Sequence, residues 1–240
     1  MSLYADSVFP VADATAELHA DELQSYAEPG TWGTAAQRTA IAAEARRARA
    51  DAGIQESIGD EHLVDSAELP AAARRLARDV ALGGTTIDRG YCAAVQAAGV
   101  TEGAYVEIVG LVARLAHLDV FARGIGVPAR ALATPNDDRA PTFERPSEAS
   151  NEGFFTATVP NAPAGGELAV SLYGKHKAAN ILRSLSLVPD EARRLNRIMD
   201  QEYFSMENIF DLTHSSHAAL SRPQIELVAA RVSALNQCFY

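Results

Sequence analysis

Apolar positions near the C-terminal end of the sequence recur at helical spacing. Steps of three and four residues separate Ile225, Val228, Val232, Leu235 and Phe239. Such a stripe is typical of a helix that packs against its surroundings on one side. The final twenty residues therefore contain at least one amphipathic helix.

Polar residues mark the two ends of this predicted helix. Ser221 and Gln224 have the spacing of a capping box. Pro223 stands in the first turn, where its missing N–H removes no helical hydrogen bond. Asn236 and Gln237 favour a break in the helix. The pattern thus predicts a helix that starts at Ser221 and ends near Asn236.

The same signals predict helices along most of the chain. Thr34 and Gln37 repeat the capping-box spacing ahead of an Ala-rich stretch that runs to Gly53. Residues 1–30 look like a loosely structured lead. Caps, glycines and prolines bound further helices at about 70–82, 86–98, 102–123 and 180–194. The predicted class is all-α, with about eight or more helices and little or no sheet.

Proline-rich sequence divides the chain into three predicted parts. Residues 1–135 form an N-terminal helical repeat, residues 136–175 a linker or wrapping segment, and residues 176–240 the start of a second unit. The stretch from Thr34, TAAQRTAIAA, aligns with the stretch from Ser221, SRPQIELVAA. The alignment indicates either an internal duplication or a chance match between Ala-rich helices.

Charge and composition exclude several classes of partner. The chain has 21 Lys and Arg against 31 Asp and Glu, a formal net charge of −10. Without a basic stretch, neither nucleic acid nor an anionic membrane is an expected partner. No apolar run reaches the length of a membrane span, and the N-terminal sequence lacks a signal pattern. Two Cys in 240 residues suit a reducing, cytoplasmic location better than a disulfide framework.

Two residues of the C-terminal stretch carry candidate chemistry. Glu226 lies at the edge of the apolar stripe, and Cys238 follows it by twelve residues. In the aligned N-terminal copy, Thr39 and Asp51 occupy these two positions, so that copy is expected to be inert. From spacing alone, the acid could equally be solvated or salt-bridged, and the cysteine could be a small buried hydrophobe.

The run from Val228 to Tyr240, VAARVSALNQCFY, with Glu226 before it, resembles the alkylhydroperoxidase AhpD / carboxymuconolactone decarboxylase superfamily. Peroxide-reducing members of that superfamily have a Glu twelve residues before a C-x-x-C-x-x-x-H motif, and Cys238 matches the first Cys. The second Cys, which is the family's attacking thiolate, and the His would be the first and fifth residues beyond Tyr240. The resemblance implies an AhpD-like helical bundle with Cys238 as resolving thiol and Glu226 as relay base.

The resemblance also implies the partners of the protein. They would be a small-molecule peroxide, a thiol reductant and further copies of the chain in a homo-oligomer, with no cofactor. A metal is not expected. His214 and His217 have a ligand-like spacing, but no cluster of Cys, Asp or Glu accompanies them.

Three functional hypotheses follow. The first is thiol-dependent reduction of hydroperoxides, which needs an attacking Cys from beyond position 240, from a partner subunit or from Cys92. The second is a lyase or isomerase of the decarboxylase type, which uses His and Glu on a small lactone or acid. The third is a helical oligomer that keeps the fold without catalysis. On one continuous helix, residues twelve apart point about 120° from one another, so Glu226 and Cys238 would not converge.

Overall fold

The computed structural model describes residues 2–58, 69–152, 154–174, 177–205 and 207–238. Within these ranges the chain forms nine α-helices and no strand, with one isolated β-bridge between Ser150 and Thr158. The all-α prediction is confirmed. The helices are α1 (Asp13–Ser25), α2 (Ala35–Asp51), α3 (Ala71–Leu82), α4 (Arg89–Ala97), α5 (Glu102–Gly124), α6 (Gly166–Tyr173), α7 (Asn180–Arg183), α8 (Pro189–Glu202) and α9 (Arg222–Leu235).

The chain divides into two units, Met1–Leu195 and Asn196–Tyr240. The first unit contains α1 to α7 and the start of α8, and the second contains the rest of α8 and α9. Among the described residues, none of the helices is both long enough and apolar enough to cross a lipid bilayer.

The N-terminus of α2 has a hydrogen-bond acceptor for each of its four free backbone N–H groups. The side chains of Thr34 and Gln37 form the predicted capping box, each accepting a bond of 3.1 Å from the other's N–H. The two N–H groups between them, of Ala35 and Ala36, donate to the carboxylate of Asp137 at 2.6 and 3.2 Å. A helix start normally leaves these groups without intrahelical partners. Asp137 also ties the Pro-rich segment to the first unit.

Residues 1–30 contain a helix, so the expectation of a loose lead is wrong for 13–25. Helix α1 is not strongly amphipathic, which is why its periodicity gives little signal. Its buried face includes His19 and Glu22, whose polar atoms are satisfied within the fold. The Tyr4 hydroxyl lies 2.7 Å from Nδ1 of His19, and Glu22 receives Arg114. Polar side chains that are paired can be buried where unpaired ones cannot.

The apolar core of the first unit lies between α2, α3 and α5. Small side chains on α2 are almost fully buried, which lets the neighbouring helices approach closely. Leucines from α3 and α5 fill the space between them. The central members are Ala42, Ala45, Leu76, Leu111 and Leu115.

A buried ionic cluster joins α1, α5 and α8 within the first unit. Arg114 of α5 donates to Glu22 at 2.5 Å, and to Glu191 through two nitrogens at 2.5 and 3.2 Å. All three side chains are almost completely buried. Arg194 adds a bond of 3.0 Å to the second oxygen of Glu22. Removing one member of such a cluster would leave an unpaired buried charge, which costs about 3–5 kcal/mol.

Gly110 makes room for this cluster on α5. A Cβ atom at this position would clash with the carboxylate of Glu191. Glycine in a helix interior costs about 1 kcal/mol relative to alanine. Its presence in the middle of α5 is therefore explained by the close approach of α8.

We expect Gly110→Ala to destabilise the protein by about 2–4 kcal/mol. Displacing Glu191 from Arg114 should outweigh the gain in helix propensity. Urea denaturation followed by circular dichroism measures the change. Gly124→Ala, at the end of the same helix, is the matched control because no atom lies within 4 Å of the added Cβ. An equal or higher stability of Gly110→Ala would contradict the proposed role of the glycine.

Candidate functional site

Cys238 lies just past the C-terminal end of α9 in the second unit. The helix ends at Leu235, as the sequence predicts, and Gln237 adopts the left-handed conformation with φ of 53°. The N–H of Cys238 donates to the carbonyl of Ser233 at 2.9 Å, and the N–H of Gln237 to that of Ala234 at 3.2 Å. This pair of bonds is a Schellman motif. The Cys238 thiol is exposed and free.

Glu226 lies in the first turns of α9 and has two polar partners within the second unit. The Tyr203 hydroxyl donates to Oε2 at 2.8 Å, and Nε of Arg222 donates to Oε1 at 2.7 Å. The Glu226 side chain is 41% exposed, so solvent also reaches it. Burial, and then the hydrogen bond to Glu226, raise the pKa of the Tyr203 phenol. The carboxylate is thus positioned by two donors and remains open to a small molecule.

Arg222 fixes the segment that carries these groups. Its guanidinium lies 3.7 Å from the ring centroid of Phe204 and donates to the carbonyls of Ile209 at 2.8 Å and Asp211 at 3.2 Å. The arginine is almost fully buried although it starts a surface helix. It therefore orients Glu226 and supports the preceding loop at the same time.

The structure does not bring Glu226 and Cys238 together. Nine residues of continuous helix separate Glu226 from Leu235, which corresponds to about 13 Å along the axis. Both oxygens of Glu226 bond to groups at the start of the helix, whereas Cys238 lies beyond its end. Glu226 cannot serve as the base for the Cys238 thiol in the same second unit.

Cys92, the other thiol, is buried on α4 of the first unit. Gln96 donates to its sulfur at 3.3 Å, and the thiol lies 3.6 Å from the carbonyl oxygen of Phe155. Burial raises the pKa of the Cys92 thiol. A buried thiol with a raised pKa forms little thiolate and reacts slowly with peroxides.

A second candidate site in the first unit surrounds Glu107 of α5. Its carboxylate accepts from the guanidinium of Arg38 and, at 2.7 Å, from the backbone N–H of Trp32. It lines a cavity of about 230 Å³ together with Gln37 and Phe143. Burial raises the pKa of Glu107, and the nearby Glu191 adds to this effect, which Arg38 opposes. A carboxyl of raised pKa in a cavity is a candidate acid or base.

The tryptophan beside Glu107 has an unusual environment. The indole nitrogen of Trp32 is buried and lacks a hydrogen-bond partner among the described residues. It packs on Gly103, where a Cβ would clash with the ring. Buried polar atoms without partners are uncommon and often occur at binding sites. The donor lies one helical turn from Glu107.

Sequence reasoning missed Glu107 as a candidate site residue. Its signal was the occurrence of Glu107, Arg114 and Asp119 within the otherwise apolar α5. A charge on a helix buried on most sides must have a partner. The partners are arginines of α2, since Arg38 binds Glu107 and Arg46 binds Asp119.

We expect Glu107 to make stability depend on pH. Its folded pKa lies above the unfolded value of about 4.3, so the folded state retains the proton to higher pH. The stabilisation is complete at low pH and is lost as pH rises through the folded pKa. Urea denaturation between pH 5 and 8 should show the stability of the wild type, relative to Glu107→Gln, falling as pH rises. The exposed Glu167→Gln is the control, and parallel curves for the wild type and Glu107→Gln would refute the assignment.

The chain matches none of the protein-family models, and neither the curated proteins nor the solved structures include one that is significantly similar to it.

Proposed function

We propose that the protein is an AhpD-like antioxidant protein of thiol-dependent hydroperoxide reduction, with Glu226 as relay base and Cys238 as resolving thiol. The main support is the arrangement around Glu226, a half-exposed carboxylate held by Tyr203 and Arg222 at the start of α9. The twelve-residue spacing to Cys238 and the surrounding sequence add the resemblance to the superfamily. An AhpD-like bundle built from a duplicated unit is part of the same proposal.

The reaction assigns a separate task to each group. An attacking thiolate takes the distal oxygen of the hydroperoxide, the O–O bond breaks, and the alcohol leaves with a proton from the relay. The sulfenic acid then condenses with the Cys238 thiol, which releases water and forms a disulfide. A dithiol reductant returns both thiols and is itself oxidised. Glu226, bonded to the Tyr203 hydroxyl, would pass the proton.

The attacking thiol is the demanding part of this scheme. Cys238 matches the resolving position of the motif, and no base is bonded to it. Cys92 is buried and has a raised pKa. A residue at position 241 of a continuous helix would point only about 60° from Glu226, against about 120° for Cys238. The relay therefore suits a thiol placed three residues after Cys238.

We expect the 240-residue chain to consume hydroperoxide feebly, because no activated thiolate lies beside Glu226. A chain extended after Tyr240 by C-x-x-x-H should be faster by orders of magnitude, and Glu226→Gln should then slow it. The measurement is consumption of an alkyl hydroperoxide with a dithiol reductant. Cys92→Ser in the extended chain is the matched control and should keep the activity.

The variant Cys238→Ser separates the hypotheses. In the extended chain it should accumulate over-oxidised thiol, because the sulfenic acid has no resolving partner. An extended chain that stays inactive would contradict the proposal, as would brisk turnover by the 240-residue chain that survives Cys238→Ser.

A second candidate is the cysteine-independent, decarboxylase-like lyase. The observation that favours it is the Glu107 cavity, where a buried carboxyl of raised pKa could exchange a proton with a small acid or lactone. Turnover of such a substrate that survives Cys238→Ser and is lost in Glu107→Gln would support this candidate over peroxide reduction.

We also propose a homo-oligomer that forms through α9. Val228, Val232 and Leu235 make one stripe along this helix, and each is more than half exposed. An exposed apolar stripe of this kind is typical of a contact surface. Its occupant would be the same helix of a second copy, with which it can pair by two-fold symmetry.

We expect Val232→Glu to shift the protein toward monomer, since it introduces charge into the stripe. Leu227→Glu is the control, because Leu227 is also exposed but points about 100° away from Val228. Light scattering across a concentration series measures the mass. A wild type that remains monomeric would contradict the homo-oligomer, and equal effects of the two substitutions would contradict the α9 contact.

A further inference from the structure

A large polar cavity lies where the C-terminal ends of α2 and α5 meet the loop after α5. Its volume is about 880 Å³. All of its described lining belongs to the first unit, from two stretches of chain, 49–58 and 119–131. Neither Glu226 and Cys238 nor Glu107 lines it, so it is separate from the sites described above.

Arg49, in the last turn of α2, is the distinctive residue of this cavity. Its side chain lines the cavity, yet the residue is only 7% exposed. Its guanidinium forms no hydrogen bond and no ion pair at salt-bridge distance with any residue of the described ranges. A buried guanidinium has five donors and is normally paired.

The nearest acid is already used by another arginine. Asp119 receives Arg46 in a two-pronged pair, at 3.0 Å from Nε and 2.7 Å from Nη2. Arg46 also donates to the carbonyl of Arg130 at 2.9 Å. Asp119 attracts Arg49 through space, but its oxygens are directed to Arg46.

The other charged groups of the cavity leave an excess of positive charge. Arg123 donates to the backbone carbonyl of Ile54 at 2.6 Å, and Arg130 pairs with the exposed carboxylate of Asp6. Glu56 is the only further acid among the described lining residues, and it is exposed. Burial lowers the pKa of Arg49; Asp119 opposes this shift, whereas Arg46 and Arg123 increase it.

We propose that this cavity binds a small organic anion whose carboxylate or phosphate group pairs with the guanidinium of Arg49. The planar donor fork of arginine matches both groups in a two-bond geometry. Arg123, on the facing helix, adds positive charge to the same side of the cavity. Apolar side chains in the lining provide contacts for the body of the ligand. They are Ile54, Val120 and Val127.

Isothermal titration with four probes tests the proposal on the full chain. Phenyl phosphate and benzoate carry the two anionic groups on one apolar body, inorganic phosphate lacks the body, and benzyl alcohol lacks the charge. We expect at least one aromatic anion to bind more tightly than both inorganic phosphate and benzyl alcohol. The ratio of phenyl phosphate to benzoate then identifies the anionic group that the site prefers.

Arg49→Met removes the charge and keeps the apolar stem. It should weaken the binding of the preferred anion by about ten-fold or more, because a charge-assisted pair is lost. Arg193→Met is the matched control, since Arg193 is an exposed arginine paired with Asp190 on α8. Without ligand, Arg49→Met should melt at the same or a higher temperature, because it removes a buried charge without a partner. If Arg49→Met does not fold, Arg123→Gln should weaken the same anion several-fold.

Three results would overturn the proposal. The first is equal binding of the anions and benzyl alcohol, or no binding of any probe. The second is a lower melting temperature of Arg49→Met without a loss of affinity, which would mark a structural role. The third concerns the acids that follow Ile58 in the sequence, Asp60, Glu61 and Asp65. Binding seen only after their replacement by Asn or Gln would mean that the chain itself supplies the anion.

Discussion

The ion pairs of Arg114 are the constraint on which the first unit depends. One guanidinium bonds to carboxylates from two other helices, Glu22 of α1 and Glu191 of α8, with almost no access to water. An apolar core alone would let these helices slide or rotate, because apolar contact has little directional preference. Charged hydrogen bonds are directional, and leaving one unmade in the interior is expensive. The cluster therefore fixes the positions of α1 and α8 against α5.

Positive charge is distributed unevenly along α2. Arg38 and Arg46 reach carboxylates of α5, and both pairs occur in the same order along the two helices. Arg49, one turn further on, has no comparable partner among the described residues. The same helix thus uses similar side chains for cohesion in its middle and has a cation to spare at its end.

Local patterns in the sequence predicted the helices that such patterns control. The cap of α2 at Thr34 and the end of α9 after Leu235 depend on neighbouring residues, and both were predicted correctly. Helix α1 was missed because its burial depends on Arg114, 92 positions after Glu22. Likewise, the spacing of Glu226 and Cys238 is visible in the sequence, but the bonds to Tyr203 depend on the folding of the preceding loop. The buried role of Glu107 needed only the observation that a charge in an apolar helix must be paired.

The double cap of α2 has a consequence for the order of folding. Thr34 and Gln37 are three residues apart, so their bonds can form as soon as the first turn does, within microseconds or less. Asp137 lies more than one hundred residues from the N–H groups that it accepts, and closing so long a loop is slower and entropically costly. The helix can therefore start without Asp137, and the Pro-rich segment docks onto an end that already exists. Two free N–H groups at that end provide the docking point and determine where the segment attaches.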